Sequence, residues 1–466
     1  MAKMKPVTSS AERPEHEAMP LMEGARRRWN DADAGTDEGV ADILVEPWEP
    51  RRDRRAAAGV FLVCWAVYLA TATYTVAQIN DTRAATQSAY ALATTGSLAL
   101  PEAWEGEADW EVVGRDGRSY TNRFPLMPVY AAPFHYVADA FGSGVRPEHP
   151  HLINYAPSAV AAATAAALAV TVSFLLFRRL ADRRLALTAT GALAFGTGVW
   201  TVSADALWPH ALTHLFLALG VLAVADGRHA RSGLAFGVSL LARPHLAVVP
   251  AVMGIWSGIN RRSVSTVALV GVTSVLGLAA VVLYSRLLFG TWMPIAGYSS
   301  YAVDNLGGTS MPDYGRRFLM FLGDPVRGIL VYMPALIVLL PFVGRGWKVS
   351  PWWVRAAAMS GVVYMIVQLR ANAHHGGSQF FGPRLSIELT ILAAPLLLRT
   401  YQAYHRGRKW AAPAVHVLLI AGVILHTLGA TVWKHPFVDL DQSLGRHLSG
   451  LCEVDDPPAG CPVAVE

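Results

Sequence analysis

The sequence places a carboxylate where acid–base chemistry at a membrane surface is expected. Asp81 directly follows the first long apolar segment and precedes the stretch 82–95, in which Ala85, Ala89 and Leu92 form a weak apolar face. This pattern predicts a helix that lies on the membrane interface. An aspartate held there is suited to take a proton from an attacking hydroxyl group. The alternative role is structural, because aspartate is also a preferred N-cap residue and Asp81 directly precedes the predicted helix.

A second candidate region is the run GRDGRSYTNRFP, which spans 114–125. Asp116-Gly117 predicts a tight turn, and a strand-like run of polar and aromatic residues follows it. Arg123 stands near the end of this run, beside an apolar segment. It is a candidate ligand for an anion, although an arginine in such a position often only extends its guanidinium to the lipid headgroups.

The strongest chemical pattern is the run RANAHHGGSQFFGPR at 370–384. Gly376-Gly377 allows the backbone to approach a ligand closely. Arg384, at the start of the next predicted helix, is suited to hold two phosphate oxygens with help from the helix N-terminus. Arg370 opens the same run and is a second candidate for this role.

His374 and His375 in this run are candidate substrate contacts rather than metal ligands. The side chains of neighbouring residues point apart, and no cysteine or carboxylate lies at ligand spacing from them. The sequence therefore predicts no metal site. It also lacks the glycine-rich loop between a strand and a helix that a nucleotide site needs, so no cofactor is expected.

The elements that position these residues are predicted to be membrane-spanning helices. Of the 466 residues, 53% are hydrophobic and 16% are charged, whereas a soluble domain carries roughly a quarter charged residues. Nine stretches are nearly free of charge, and most are long enough to cross a lipid core of about 30 Å as helices. These stretches are 56–76, 156–177, 185–202, 211–225, 264–285, 329–343, 352–369, 385–398 and 411–432.

Basic clusters set the predicted orientation. Four arginines within 51–55 precede the first span, so the positive-inside rule places the N-terminus in the cytoplasm. For the later basic clusters to lie on the same side, 126–141 must be an in-plane or re-entrant helix on the outer face, and 234–255 must be two short helices with Arg243-Pro244 at their apex. The fold predicted is an all-α integral membrane protein with about eleven transmembrane helices and with outer-face interfacial helices in its first loop.

The chain is predicted to have three parts. Residues 1–50 are rich in charge and proline and are expected to be a disordered cytoplasmic tail, 51–433 form the membrane domain, and 434–466 form an outer C-terminal tail. The outer tail contains Cys452 and Cys461. A disulfide between them and two free thiols are both open.

Five short motifs follow one another on the predicted outer face. In chain order they are Asp81 with Tyr90 and Gly96-Ser97-Leu98; Asp116-Gly117 with Tyr120 and Pro125; Phe289-Gly290 with Pro294 and Gly297-Tyr298; Pro325 with Arg327-Gly328, Tyr332 and Pro334; and Gly376-Gly377 with Gly382-Pro383-Arg384. Together they resemble the membrane glycosyltransferases of the C type. Within that class, they resemble the bacterial group related to protein O-mannosyltransferases and to the lipid A aminoarabinose transferase.

This resemblance implies an enzyme that moves a sugar from a polyprenyl phosphate to an acceptor on the outer face of the plasma membrane. It implies that Asp81 is the base, with Asp304 and Asp313 next in line. The residues implied to bind the donor phosphate are Arg384, Arg370 and Arg123, and those implied to contact substrate are Tyr120, Tyr298, His374, His375, Gly376 and Gly377. The implied partners are the lipid-linked sugar, membrane lipids and a glycan, glycolipid or protein acceptor, without nucleic acid.

The chain departs from the pattern of this group at two places. Thr82 follows Asp81 where a second carboxylate is often found, which weakens a metal-assisted mechanism. His374-His375 stands where aromatic residues are common, which leaves the acceptor open.

Two other functions remain compatible with the sequence. A flippase for lipid-linked glycans, or another transporter, has the same kind of multi-pass chain, but its ionisable residues line a path through the bundle. Here the predicted spans contain few charges, and no internal repeat is evident. A non-catalytic lipid-binding scaffold accounts for the spans but assigns no role to the outer Asp and Arg residues.

Overall fold

The computed structural model describes residues 48–74, 80–101, 110–141, 153–293, 308–374, 376 and 380–432. Several predictions made above lie outside these residues. They concern Asp304, Tyr298, His375, Gly377, nearly all of the tail 1–50, and the tail 434–466 with Cys452 and Cys461.

The described part of the chain is almost entirely helical and contains sixteen α-helices. They are α1 (Pro50–Thr71), α2 (Asn80–Thr95), α3 (Leu126–Ala140), α4 (Ala156–Arg178), α5 (Arg183–Phe195), α6 (Pro209–Ala225), α7 (His229–Leu240), α8 (Val248–Arg261), α9 (Val264–Phe289), α10 (Met311–Gly323), α11 (Ile329–Tyr332), α12 (Ala335–Leu339), α13 (Val343–Lys348), α14 (Trp352–Ala371), α15 (Ile387–Thr400) and α16 (Ala411–Thr431). Strands β1 (Glu111–Val113) and β2 (Ser119–Thr121) form one antiparallel hairpin with Val112 opposite Tyr120.

Five of the described helices are long and apolar enough to cross a membrane, namely α1, α4, α9, α14 and α16. Each of them covers a stretch that the sequence predicts as a span. Helix α6 is apolar but shorter. An all-α membrane protein is thus the class of this fold, while the count of eleven crossings stays a prediction.

Prolines and glycines divide some of the other predicted spans. The stretch 329–343 is not one helix but the short helices α11 and α12 followed by the 3-10 turn Leu340–Phe342. Pro334 and Pro341 interrupt it because proline has no backbone N–H to donate. The stretch 185–202 is divided into α5 and the π-helical turn Val199–Ser203.

The predicted break at Arg243-Pro244 is confirmed. Helix α7 ends at Leu240, the 3-10 turn Pro244–Ala247 follows, and α8 begins at Val248. Arg243 has an extended backbone with φ −152° and ψ 90°, which is the conformation that a following proline imposes. Helices α7 and α8 both pack against α9.

Helix α4 lies at the centre of the bundle and packs against α1, α3, α5 and α6. Its buried face is rich in alanine, including Ala159, Ala163, Ala166 and Ala167, each 0% exposed. Small side chains let helix backbones approach closely, which is the main source of attraction between helices in lipid. Helix α4 is therefore the central helix against which the elements that carry the polar residues pack.

Helix α2 forms as predicted, and protein covers much of it. Ala85 and Ala89 belong to the main apolar core, and the polar residues Thr82, Thr86, Gln87 and Ser88 are buried as well. Two of these polar residues bond to the hairpin region, because Trp110 Nε1 donates to Gln87 Oε1 at 3.1 Å and the hydroxyls of Ser88 and Thr121 lie 2.7 Å apart. The apolar face of the helix therefore packs against protein, while its position relative to the membrane surface stays a prediction.

A buried ion cluster joins the start of α1 to the end of α4. Asp53 accepts two hydrogen bonds from the guanidinium of Arg178, at 2.9 and 3.1 Å, and one from Arg183 Nε at 2.9 Å. The side chains of Asp53 and Arg178 are both 0% exposed. We refer to Asp53, Arg178 and Arg183 as the sealed cluster.

Candidate active site

A second ion cluster of the same composition lies beside a cavity. Asp81 is in the first turn of α2, Arg123 lies between β2 and α3, and Arg384 begins the 3-10 turn that leads into α15. Arg384 Nη1 donates to Asp81 Oδ2 at 2.7 Å, and Arg123 Nη2 lies 2.7 Å from Asp81 Oδ1. We refer to Asp81, Arg123 and Arg384 as the open cluster.

The aspartate of the open cluster is partly exposed, whereas Asp53 and Arg178 of the sealed cluster are fully buried. The side chains of Asp81, Arg123 and Arg384 are 25%, 20% and 17% exposed. Both oxygens of the Asp81 carboxylate contact guanidinium groups. The geometry therefore favours a role of Asp81 in this site over capping of α2.

Aromatic rings and a backbone carbonyl orient the guanidinium of Arg384. It lies 4.6 Å from the ring centroid of Trp208 and 4.9 Å from that of Phe380, so it packs against both rings. Its Nη2 donates to the carbonyl oxygen of Gly376. Gly376 has φ +70°, and a Cβ there would lie 2.8 Å from the side chain of Leu385, so glycine is the residue that lets this carbonyl reach the arginine.

The electrostatics of the cluster make Asp81 a weak base in this state. Burial acts to raise the pKa of Asp81, but the charges of Arg384 and Arg123 lower it by more, so the pKa is held below its ordinary value. A carboxylate is stabilised in its charged form when opposite charges lie within a few ångströms. The proton affinity of Asp81 therefore depends on whether these two arginines remain its partners.

A second charged layer lies directly behind the open cluster, inside the bundle. Glu388 is 0% exposed, and its Oε1 lies 2.7 Å from Arg243 Nη1 and 2.7 Å from His210 Nδ1. Thr213 donates to the same oxygen at 3.1 Å. A buried carboxylate needs such partners because its desolvation is costly. The result is that Arg243 and His210 are held in place on the side that faces Asp81.

The two layers enclose a small polar cavity with a volume of about 50 Å³. The space is sufficient for a few water molecules or a small anionic group. Its lining residues are Asp81, Ala85, Arg123, Phe124, Met127, Pro209, His210, Ala242, Arg243, His245 and Arg384. Three arginines and one carboxylate thus line one space, which is an arrangement suited to a negatively charged ligand.

Residues of two sequence motifs contact each other and stabilise the loop that precedes Arg384. The Arg327 guanidinium donates to the carbonyl oxygens of Phe380 and Gly382 and lies 4.5 Å from the Phe380 ring centroid. The Tyr332 ring packs at 82° to that of Phe381, with 5.2 Å between centroids. The motif that contains Arg327 therefore stabilises the conformation of the loop that leads to Arg384.

His374 is paired with a carboxylate rather than placed in the cavity. Its Nε2 lies 2.7 Å from Asp324 Oδ2. Burial acts to raise the pKa of Asp324, but the interaction with His374 and the hydrogen bonds from the backbone N–H groups of Val326 and Arg327 together lower it by more, and the net pKa is below the ordinary value. Within the described residues, no group of three or more His, Cys, Asp and Glu side chains is placed to hold a metal ion.

Two predicted site residues lie away from the cavity. The Tyr120 hydroxyl donates to Asp116 Oδ2 at 2.8 Å across the turn of the hairpin, and this ring is buried. Arg370, at the end of α14, lies over the Tyr314 ring at 6.0 Å. Neither residue is among those that line the cavity, so the structure separates Arg370 from Arg384 and Arg123. Asp313 interacts with Ser310 at the start of α10.

Sequence reasoning missed His210, Arg243 and Glu388 as site residues. It assigned Arg243 only to the apex between two helices, where its extended backbone in fact occurs. A signal was present, because an ionisable residue within an apolar span is rare and usually functional. Glu388 near the start of α15 and His210 at the start of α6 both meet that description.

No protein-family model matches the sequence, and no curated protein matches it either. Solved structures do resemble the fold. The chain is similar to ArnT from Cupriavidus metallidurans bound to undecaprenyl phosphate, with 14% identity, a TM-score of 0.49, and coverage of 86% of this chain and 78% of that one.

It is also similar to the oligosaccharyltransferase of Archaeoglobus fulgidus in two forms. The apo form has 13% identity, a TM-score of 0.42, and coverage of 85% of this chain and 56% of that one. The complex with Zn and sulfate has 13% identity, a TM-score of 0.46, and coverage of 82% and 53%. The chain thus spans about half the length of the archaeal enzyme.

ArnT and the archaeal enzyme are both C-type glycosyltransferases, the class that the sequence motifs resemble. With every TM-score below 0.5, the function has to be argued from the residues of this chain.

Proposed function

We propose that this protein is a membrane glycosyltransferase that moves a sugar from a polyprenyl-phosphate donor to an acceptor. The observation that carries the proposal is the open cluster. Asp81 and Arg384 are separated by 303 positions in the sequence, and they meet with Arg123 at a cavity lined by a third arginine. A base and several phosphate ligands in one place are the groups that such a transfer needs.

The mechanism assigns one step to each part of the cluster. Asp81 takes the proton of the acceptor hydroxyl, whose oxygen then forms a bond to the anomeric carbon of the donor sugar. The bond between this carbon and the phosphate oxygen breaks, and its electron pair stays on the phosphate. Arg384 and Arg123 stabilise the charge that grows there, since a guanidinium binds two phosphate oxygens at once.

The donor enters the site from the lipid, on the outer face of the plasma membrane in the eleven-crossing arrangement. The open cluster lies at the start of α2, which follows the span α1 after a short connection, so a lipid-linked substrate has a short path to it. Tyr298, His374, His375, Gly376 and Gly377 are proposed to shape the binding of donor and acceptor, whereas Arg370 and Tyr120 lie away from the cavity. No cofactor is required by these steps.

The decisive test is release of free polyprenyl phosphate. Purified protein in liposomes is given a polyprenyl-phosphate-linked sugar and a cell-envelope fraction as acceptor, and the lipid products are separated by chromatography. We expect free polyprenyl phosphate to accumulate together with a sugar-modified acceptor. If the intact lipid-linked sugar instead moves between leaflets without cleavage, the protein is a flippase, and the buried charges around Glu388 belong to a transport path.

A further inference from the structure

The same two arginines of the open cluster have two roles, one in the structure and one in the proposed reaction. In the structure, Arg123 and Arg384 are the partners of Asp81, each at 2.7 Å. In the proposed reaction they bind the donor phosphate. A carboxylate and a phosphate are equivalent acceptors for a guanidinium, because each offers two oxygens to the same N–H groups. The two interactions therefore compete.

Asp81 also cannot serve as a base while it keeps these partners. A carboxylate that is held between two guanidinium groups is stabilised in its charged form and takes up a proton poorly. Its pKa in this structure is accordingly below the ordinary value, the effect of burial being outweighed by Arg384 and Arg123. A general base is most effective when its pKa is near the operating pH.

Resting on the function proposed above, we infer that Asp81 is a base switched on by the donor. Without donor it is the counter-ion of Arg123 and Arg384. When the donor phosphate binds, it takes over the guanidinium N–H groups, and Asp81 is released next to a new negative charge. The acceptor hydroxyl then finds a stronger base only when a sugar is present to be transferred.

The cavity supports this exchange. Arg243 and His210 are fixed by Glu388 behind it and do not depend on Asp81 for their position. Arg384 is likewise held against the rings of Trp208 and Phe380. Its Nε is buried without a hydrogen-bond partner. The arginine that loses Asp81 therefore stays in place to receive an oxygen of the phosphate.

The inference makes an unusual forecast for Asp81→Asn. Asparagine is a weaker, uncharged competitor for the arginines, so this variant should bind a polyprenyl monophosphate about tenfold more tightly than the wild type while it loses transfer. Binding is measured by titration calorimetry in detergent, beside a thermal melt. Asp226→Asn is the matched control, because Asp226 pairs with Arg179 at 2.6 Å and has a similar exposure of 26% but lies away from the cavity. Its affinity should equal that of the wild type.

A second measurement uses the wild type alone and does not depend on folding of the variant. In a pH–rate profile, the acid limb of kcat/KM for the donor reports the pKa of the base in the free enzyme. The acid limb of kcat reports its pKa in the donor complex. The acid limb of kcat should lie at higher pH, because donor binding raises the pKa of Asp81. The charged and titratable groups that face Asp81 in the cavity are Arg123, Arg384, Arg243, His210 and His245.

The outcomes separate this inference from the function on which it rests. Equal or weaker binding by Asp81→Asn, or acid limbs that coincide, overturns the switch while leaving a glycosyltransferase. A wild type that does not bind polyprenyl monophosphate overturns both.

Discussion

The sealed cluster and the open cluster have the same composition but opposite surroundings. Each places one aspartate between two arginines, with N–O distances between 2.7 and 3.1 Å. In the sealed cluster, Asp53 is 0% exposed and also accepts the backbone N–H of Glu49 at 2.8 Å. In the open cluster, Asp81 is 25% exposed and faces a cavity.

The difference shows that an ion triad is not by itself a functional signal. Arg178 also donates to the Ala181 carbonyl at 2.6 Å, so the sealed cluster joins helix ends. The open cluster faces a cavity, and one further arginine, Arg243, lines that cavity. Removal of a partner should destabilise the sealed cluster and should mainly change the chemistry of the open one.

The largest expected contrast concerns the side of the membrane on which each cluster lies. Thiol labelling from outside should be present near one cluster and absent near the other. In a variant without native cysteines, a cysteine at the exposed Arg118 in the hairpin near the open cluster should react with an impermeant thiol reagent added to intact cells. A cysteine at the exposed Arg184, next to the sealed cluster, should react only after the membrane is opened. Labelling of Arg184→Cys from outside would contradict the eleven-crossing orientation.

The next effect is on the rate of transfer. Asp81→Asn should lower sugar transfer by about 10²–10⁴-fold, because general base action is lost. Its melting temperature should stay close to that of the wild type, since the amide oxygen still accepts a hydrogen bond from an arginine or caps α2. Transfer by purified protein in liposomes is the measurement. A variant that melts normally and transfers within a few-fold of wild type would return Asp81 to a capping role.

The same substitution in the sealed cluster should act on stability instead. Asp53→Asn leaves two buried or half-buried guanidinium groups without their carboxylate, and the free energy of unfolding should fall by on the order of 3 kcal/mol. Thermal unfolding in detergent measures this loss. The transfer rate per folded molecule should be unchanged. A stable Asp53→Asn protein with impaired transfer would remove the distinction between the two clusters.

The sequence predicted the parts of the fold that depend on local rules. The uninterrupted apolar runs became α4, α9 and α16 almost residue for residue, since a lipid core leaves a helix as the available form. The Asp116-Gly117 turn is confirmed because its geometry depends on adjacent residues, with Gly117 at φ +78°. Similarly, Pro244 marks the break between α7 and α8.

The parts that depend on three-dimensional neighbours could not be read in this way. Asp81, Arg123 and Arg384 were each recognised, but their pairing could not be predicted, since no local rule relates positions hundreds of residues apart. In the sequence, Glu388 is an isolated charge. Its partners are known only when the structure places α6 and the break at Arg243 beside it. Arg370 shows the opposite case, because it is close to Arg384 in the sequence but does not line the same cavity.

The smallest expected effect concerns which arginine binds the donor phosphate. Arg384→Lys should weaken polyprenyl monophosphate binding by about 1.5–3 kcal/mol, roughly 10- to 150-fold. Lysine keeps the charge, but it has no planar group to pack against Trp208 and Phe380, and one ammonium group does not replace the planar fork. Titration calorimetry with folded variants gives this number directly.

Arg370→Lys is the control for this measurement, because both arginines come from the same run of sequence and only Arg384 lines the cavity. The control should bind within about twofold of wild type, since lysine keeps the charge and the residue does not line the cavity. If binding is lost in Arg370→Lys and kept in Arg384→Lys, the phosphate lies elsewhere. In that case the open cluster, like the sealed one, has a structural role.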